Sequence, residues 1–119
     1  MAKDLQFVML FDCYGEFLTE RQRQVTEMYY GEDLSLSEIS ELSGITRQAV
    51  RDGIKRSEEI LRDMESKLGF AERLSALRKN YAQIGAAVRA IAENAADSPK
   101  ILERCSVVET KVQEGLKLL

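Results

Sequence analysis

Three cations and an amide recur along one short stretch, Arg47, Gln48, Arg51 and Lys55, with Thr46, Asp52 and Arg56 among them. These residue types do recognition chemistry. Arg suits guanine, Gln suits adenine, and Lys55 or Arg56 would hold a phosphate oxygen. Bond-making chemistry has no comparable candidates. The chain contains no histidine, which removes Ser-His-Asp and Cys-His nucleophilic sites and His-containing metal sites. Two cysteines far apart in sequence, Cys13 and Cys105, cannot build a structural zinc site and read as core thiols in a reducing compartment. No Gly-rich phosphate loop or nucleophile–base pair is visible. The 20 acidic residues are spread along helix surfaces, where solvation is their ordinary role. The expectation is a binding protein, not an enzyme, with no cofactor.

Charge narrows this further. The net charge of −3 is uneven: residues 1–34 carry three Lys/Arg against seven Asp/Glu, residues 35–67 six against seven, and residues 68–119 eight against six. Most DNA-binding domains are basic, so any nucleic-acid contact must rest on a local patch. With Val50 and Ile54 turned inward, Arg47, Gln48, Arg51 and Lys55 fall within an arc of about 100° on a helical wheel. Asp52 borders that arc. The same strip also reads as a solvated face with ordinary salt bridges, for instance Asp52 to Arg56 four residues apart.

A helix-turn-helix is the element that would position this strip. It needs a short support helix, a tight turn and a second helix crossing it. Ser35-Leu36-Ser37-Glu38 is a capping box that opens the support helix, with Ile39 and Leu42 inward. Gly44 supplies the turn, because it tolerates positive φ. Ser40 is small enough for the crossing, Thr46 caps the second helix, and Ile39, Ile45, Val50 and Ile54 stand at core spacings. The second helix continues its stripe through Ser57, Leu61, Met64 and Leu68.

Helices fill the rest. Asp4 to Cys13 is apolar on more than one side and predicts a short, well-buried helix, broken at Tyr14-Gly15-Glu16. Thr19-Glu20-Arg21-Gln22 is a second capping box, opening a helix with Leu18, Val25, Met28 and Tyr29 on its stripe and Gly31 at its end. Gly69 either ends or loosens the long helix. A heptad seam follows: Phe70, Leu74, Leu77, Tyr81, Ile84, Val88, Ile91, Ala95. Asp97-Ser98-Pro99 is a stop and a new start, and Ile101, Cys105, Val108, Val112, Leu116 and Leu119 form a last stripe. With a single proline and seven glycines, the class expected is all-α: a helix-turn-helix bundle over 1–68 with a helical extension over 69–119, the two counting as one continuous domain. That extension contains a heptad helix at 70–96 and a second helix at 99–119.

The residues Leu18-Thr19-Glu20-Arg21-Gln22-Arg23-Gln24-Val25, followed by the stretch from Leu36 to Val50, resemble region 4 of bacterial sigma factors. In that family the second helix reads the −35 promoter element. No counterpart of the −10-binding region is present, so a complete sigma factor is not expected. The segment Leu10-Phe11-Asp12-Cys13-Tyr14-Gly15, the pair Tyr29-Tyr30 and the stretch Arg47 to Glu58 are similar to the YlxM family of small helix-turn-helix proteins. That resemblance covers roughly residues 4–90. It implies genes beside those of the signal recognition particle GTPase, and an auxiliary or regulatory role in that pathway. Ser43 stands where an aliphatic residue is common, and Arg51 where relatives often carry an aromatic. Residues beyond the resemblance, the last twenty or so, take nothing from it.

Partners remain open at this level: DNA through the strip, or a protein or RNA of the signal recognition particle, which the acidic N-terminal third would suit better if the partner is basic. Ala82, Gly85, Ala86, Ala92 and Ala96 form a small-residue stripe beside the heptad seam. It predicts close approach of the chain's own 99–119 helix, or of a second copy in a homodimer through 70–96 and 99–119; the two can coexist. Tyr29-Tyr30 reads as core plus edge rather than a base-stacking platform. No apolar run approaches the roughly 20 residues of a membrane span, and the start of the chain, Met1-Ala2-Lys3-Asp4, shows no signal peptide. A cytoplasmic location is the expectation.

Overall fold

The computed structural model describes residues 3–119. Met1 and Ala2, on which part of the signal-peptide reading rests, lie outside the described residues. Six α-helices follow one another, with no strand among the described residues: α1 (Gln6–Tyr14), α2 (Glu20–Thr26), α3 (Leu36–Ser43), α4 (Arg47–Leu68), α5 (Phe70–Asn94) and α6 (Pro99–Lys117). A 3-10 turn, Gly15–Phe17, links α1 to α2, and a π-helical turn, Glu27–Gly31, extends α2. The chain divides into two compact units, Met1–Ala71 and Glu72–Leu119.

Local chemistry sets the boundaries. Both capping boxes form in full: Thr19 accepts from the Gln22 N–H and Ser35 from the Glu38 N–H, while Gln22 and Glu38 reach back to the capping N–H groups. These caps satisfy donors that a helix start otherwise leaves without partners. Gly69 ends α4 in the left-handed region, at φ 65°, so α4 and α5 are separate helices rather than one loosened rod. The helical stretch that opens at Thr19 ends at Gly31, as expected, but Gly31 is not the left-handed residue. Asp33, not Gly31, carries the positive φ (55°) after α2. The Glu27 carboxylate, the movable end of its side chain, lies across Gly31, where a Cβ would sit 2.1 Å from an oxygen.

The first unit has two packed clusters. Val25, Tyr29, Leu36, Ile39, Val50 and Ile54 form one, joined by Met28, Tyr30, Leu34 and Ile45 at its edge. Tyr14, Leu18, Leu61 and Ala71 form the other, with Leu10, Phe11, Cys13, Ile60 and Met64. Each fully buried aliphatic side chain stabilises by about 1.5–3 kcal/mol relative to an exposed one. Tyr14, expected only to break α1, links three elements. Its hydroxyl donates to Glu65 and accepts from the Phe70 N–H, while Glu65 also accepts from the Ala71 N–H. Two donors at the start of α5 are satisfied this way. Burial is the main cause that raises the Tyr14 pKa, and the hydrogen bond to Glu65 adds to it.

In the first unit three expectations about burial fail. The first helix is not buried all round: Phe7 and Tyr14 face the core, but Leu5, Val8 and Met9 are exposed. Leu42 points outward, 68% exposed, because the eight-residue α3 buries only the side that carries Leu36 and Ile39. At the end of α4 the inward stripe runs out, and Leu68 is exposed.

In the second unit α6 folds back on α5. Val88 and Ala95 of α5 and Cys105 and Val112 of α6 are buried. Glycine permits one close approach. A Cβ on Gly115 would meet the Tyr81 ring at 2.6 Å, whereas one on Gly85 would make only ordinary contact with Val112 at 3.6 Å. Arg78 donates to the Leu119 carbonyl at 2.6 Å. Pro99 opens α6 as expected, but the Ser98 side chain makes no capping hydrogen bond. Of the small-residue stripe, Gly85 is buried and Ala92 half-buried, while Ala82, Ala86 and Ala96 are exposed. The heptad seam splits by register. Val88 and Ala95 turn inward, but Leu77, Ile84 and Ile91, seven residues apart, are 43%, 46% and 53% exposed.

Candidate nucleic-acid interface

The turn forms at Gly44, which adopts the left-handed conformation at φ 74° and donates its N–H to the Ser40 carbonyl at 3.0 Å. The Ser40 hydroxyl crosses the same turn to the Ile45 carbonyl. Ser40 is thus both the small residue of the support helix and a tie that fixes the corner. Ser43, which departs from the aliphatic pattern, donates back to the Ile39 carbonyl four residues earlier at 2.6 Å. Thr46 sits in extended backbone and accepts from the Ala49 N–H at 3.0 Å, opening α4. Ile39, Val50 and Ile54 are completely buried between the two helices. The rotation of α4 about its axis is therefore fixed by packing.

That rotation brings the sequence-predicted strip to the surface. Thr46, Arg47, Gln48, Asp52, Lys55 and Arg56 are exposed, and Gly44 is exposed at the corner. Arg51 is half-buried, and its Nε is enclosed without a hydrogen-bond partner. A guanidinium held by its stem points in a restricted direction, so less side-chain freedom remains to be lost on binding. Gln48 donates to Asp52 at 3.0 Å, so its amide must exchange that contact to reach a base edge. The pair Asp52–Arg56 is not among the ion pairs of the described residues. Arg47 lines a shallow pocket with Lys3, Tyr29, Asp33, Ser35, Leu36 and Glu38. There Lys3 bridges to Asp33 at 2.6 Å and holds the Asp33 carboxyl below its ordinary pKa. The strip is thus basic, but acidic groups flank it.

Tyr29 is buried, with Lys3 over its ring at 4.5 Å, and Tyr30 donates to Glu58 at 2.6 Å. Neither presents a free stacking face. Cys105 is buried and Cys13 half-buried, both as thiols. Among the described residues no three Cys, Asp or Glu side chains converge as metal ligands. No helix of the described residues is long and apolar enough to cross a membrane.

Known proteins are similar to this chain in sequence. A family model described as "UPF0122: Putative helix-turn-helix protein, YlxM / p13 like" matches residues 1–101. A UPF0122 protein of Desulforamulus reducens is 49% identical over 76 residues, 64% of this chain and 65% of its own length. One from a Thermoanaerobacter species (strain X514) is 39% identical over 115 residues, 96% of this chain and 97% of its own. One from Symbiobacterium thermophilum is 51% identical over 69 residues, 57% and 64% of the two chains. The Thermoanaerobacter match takes in residues beyond 90, so the likeness reaches past the limit that the sequence motifs set. With its corner glycine, capped second helix and interlocked isoleucine core, the chain belongs to the UPF0122 family of YlxM/p13-like helix-turn-helix proteins.

Proposed function

We propose that this chain is a non-catalytic, cytoplasmic regulator that binds duplex DNA through the exposed face of α4. The observation that carries the reading is the placement of Thr46–Arg56. Packing of Ile39, Val50 and Ile54 turns Arg47, Gln48, Lys55 and Arg56 outward at the start of a helix that follows a tight turn. A helix entering the major groove by its N-terminal residues reads base edges there. Arg47, Gln48 and Arg51 are assigned to base edges, and Lys55 and Arg56 to phosphates. Thr46 and Gly44 shape the approach, and Asp52 orients Gln48 until a base replaces it. Mobility shift with genomic fragments at two salt concentrations tests this. Affinity should fall with salt by a log–log slope of about −0.9 per phosphate neutralised. The pair Arg51→Ala and Lys55→Ala should abolish retention; binding indifferent to both changes would contradict the assignment.

The partly exposed stripe of Leu77, Ile84 and Ile91, with Ile101 and Val108 of α6 also exposed, supports a homodimer through the second unit. Heptad spacing is the period at which one helix seats knobs into another, and a second copy offers the same uncharged stripe. Sedimentation equilibrium should give twice the chain mass, and Ile84→Lys should give one. A monomer at high concentration would contradict it.

The acid excess of the N-terminal third supports a second reading, an adaptor that contacts the protein or RNA of the signal recognition particle without sequence-specific DNA binding. The likeness to the YlxM family is consistent with that pathway. Pull-down from lysate should then recover a targeting component. Its absence in mild and stringent washes alike would count against the adaptor.

A further inference from the structure

The surface on which the DNA-binding reading rests is basic, yet an open groove in the same unit has the opposite sign. It holds about 520 Å³ and is lined by Phe11, Asp12, Gly15 and Glu16 on one side and by Arg23, Gln24, Glu27, Met28 and Glu32 on the other. Phe11 and Met28 are half-buried and Gly15 is buried, whereas all four carboxylates are exposed. The floor is therefore apolar and the rim acidic. Four carboxylates face one cation, Arg23, and that cation is spoken for by Glu16 at 3.4 Å. No ion pair holds Asp12, Glu27 or Glu32 among the described residues.

The backbone is shaped to make this groove. A π-helical turn is rare and recurs at functional positions, and here it spans Glu27–Gly31. The Glu32 N–H bonds to the Glu27 carbonyl at 3.0 Å, closing one wide turn. In an α-helix residues five apart diverge by about 140° around the axis; the wide turn brings Glu27 and Glu32 back onto one side. Gly31 then leaves the space that the Glu27 carboxylate occupies. Gly15 does the same for the opposite wall, since a Cβ there would press the Phe11 ring at 3.2 Å.

We infer that this groove docks a basic amphipathic helix of a partner protein. Charge complementarity selects the occupant. An excess of unpaired carboxylates repels nucleic acid and anionic membrane surfaces, and attracts Lys and Arg side chains. The apolar floor takes a Leu or aromatic anchor from the same helix, the pattern by which helix-in-groove recognition works. The volume lies within the range of about 300–1,000 Å³ typical of ligand pockets. This holds whether or not α4 binds DNA.

The probe is a fluorescent synthetic peptide, helical and amphipathic, with leucines on one face flanked by lysines, titrated against the full chain. Two variants remove equal charge: Asp12→Asn/Glu27→Gln/Glu32→Gln in the groove, and Glu93→Gln/Glu103→Gln/Glu109→Gln in the other unit. The groove variant should weaken the peptide by about tenfold or more, and the distant variant by less than about twofold. Circular dichroism verifies that both fold, and retention of DNA by the groove variant separates this site from the α4 face. A groove variant that does not fold is replaced by Met28→Lys, which fills the floor with like charge and should weaken the peptide as much. No binding of the peptide, equal weakening by the two charge variants, or displacement of the peptide by spermidine at matched charge would overturn the inference.

Discussion

Residues Met1–Ala71 and Glu72–Leu119 are both built from amphipathic helices, but they cover their apolar faces to different degrees. In the first unit short helices meet α4 from several directions, and Val50, Ile54, Ser57 and Leu61 along one face of α4 are all buried. In the second, two long helices meet along one line. Val88, Ala95, Cys105 and Val112 are covered there, and Leu77, Ile84, Ile91, Ile101 and Val107 are not. Two helices present only one mutual seam, so a helix with two apolar registers keeps one exposed. The first unit fixes the rotation of α4 by packing; the second leaves an apolar register uncovered.

Truncations at matched positions give the largest contrast. Ile54→Ala should destabilise the first unit by about 2–5 kcal/mol through loss of burial and a residual cavity. Ile84→Ala should cost less than about 1 kcal/mol in the dilute chain, where that side chain already meets water. Urea denaturation curves check both, and equal losses would erase the distinction between the units. Next is Tyr14→Phe, which takes the acceptor away from the Phe70 N–H while Glu65 keeps the Ala71 N–H. The expected cost is about 1–3 kcal/mol, read by the same curves.

The tyrosines also give a pH signature. Burial first, then hydrogen bonding to a carboxylate, raises the pKa of both Tyr14 and Tyr30. A raised pKa means that the folded chain keeps protons the unfolded chain releases. Their contribution is therefore fully present below about pH 10, the ordinary tyrosine value, and fades as pH rises above it. Thermal melts at increasing pH should fall earlier in the native chain than in the Tyr14→Phe/Tyr30→Phe double variant, relative to each one's neutral value. The smallest effect is a gain: Ser57 is buried with an unpartnered Oγ, so Ser57→Ala should stabilise by about 1 kcal/mol.

Much of the interface is legible in sequence because it depends on local rules. The capping boxes at Thr19 and Ser35, the left-handed Gly44 and the cap at Thr46 each need only a few neighbouring residues. The inward set Ile39, Val50 and Ile54 follows from helical period. What depends on distant residues is not legible. Leu42 fits the inward stripe of α3 yet is exposed, because nothing packs over that side. Tyr14 ends α1, as its place in the sequence suggests, but it also accepts from a donor more than 50 residues away, the Phe70 N–H. The π turn leaves no local sign except Gly31, over which the Glu27 side chain folds. The groove between Phe11 and Met28 joins residues of two helices, and no spacing rule pairs them.

The DNA contact proposed for this chain is the exposed face of α4. Amide chemical shifts of the isotopically labelled chain, titrated with a duplex that it retains, read the contact residue by residue. The account predicts that the largest changes map to Thr46 through Arg56, and that they diminish as salt is raised. Changes centred on the α1–α2 groove or on α5 and α6, with α4 silent, would contradict it.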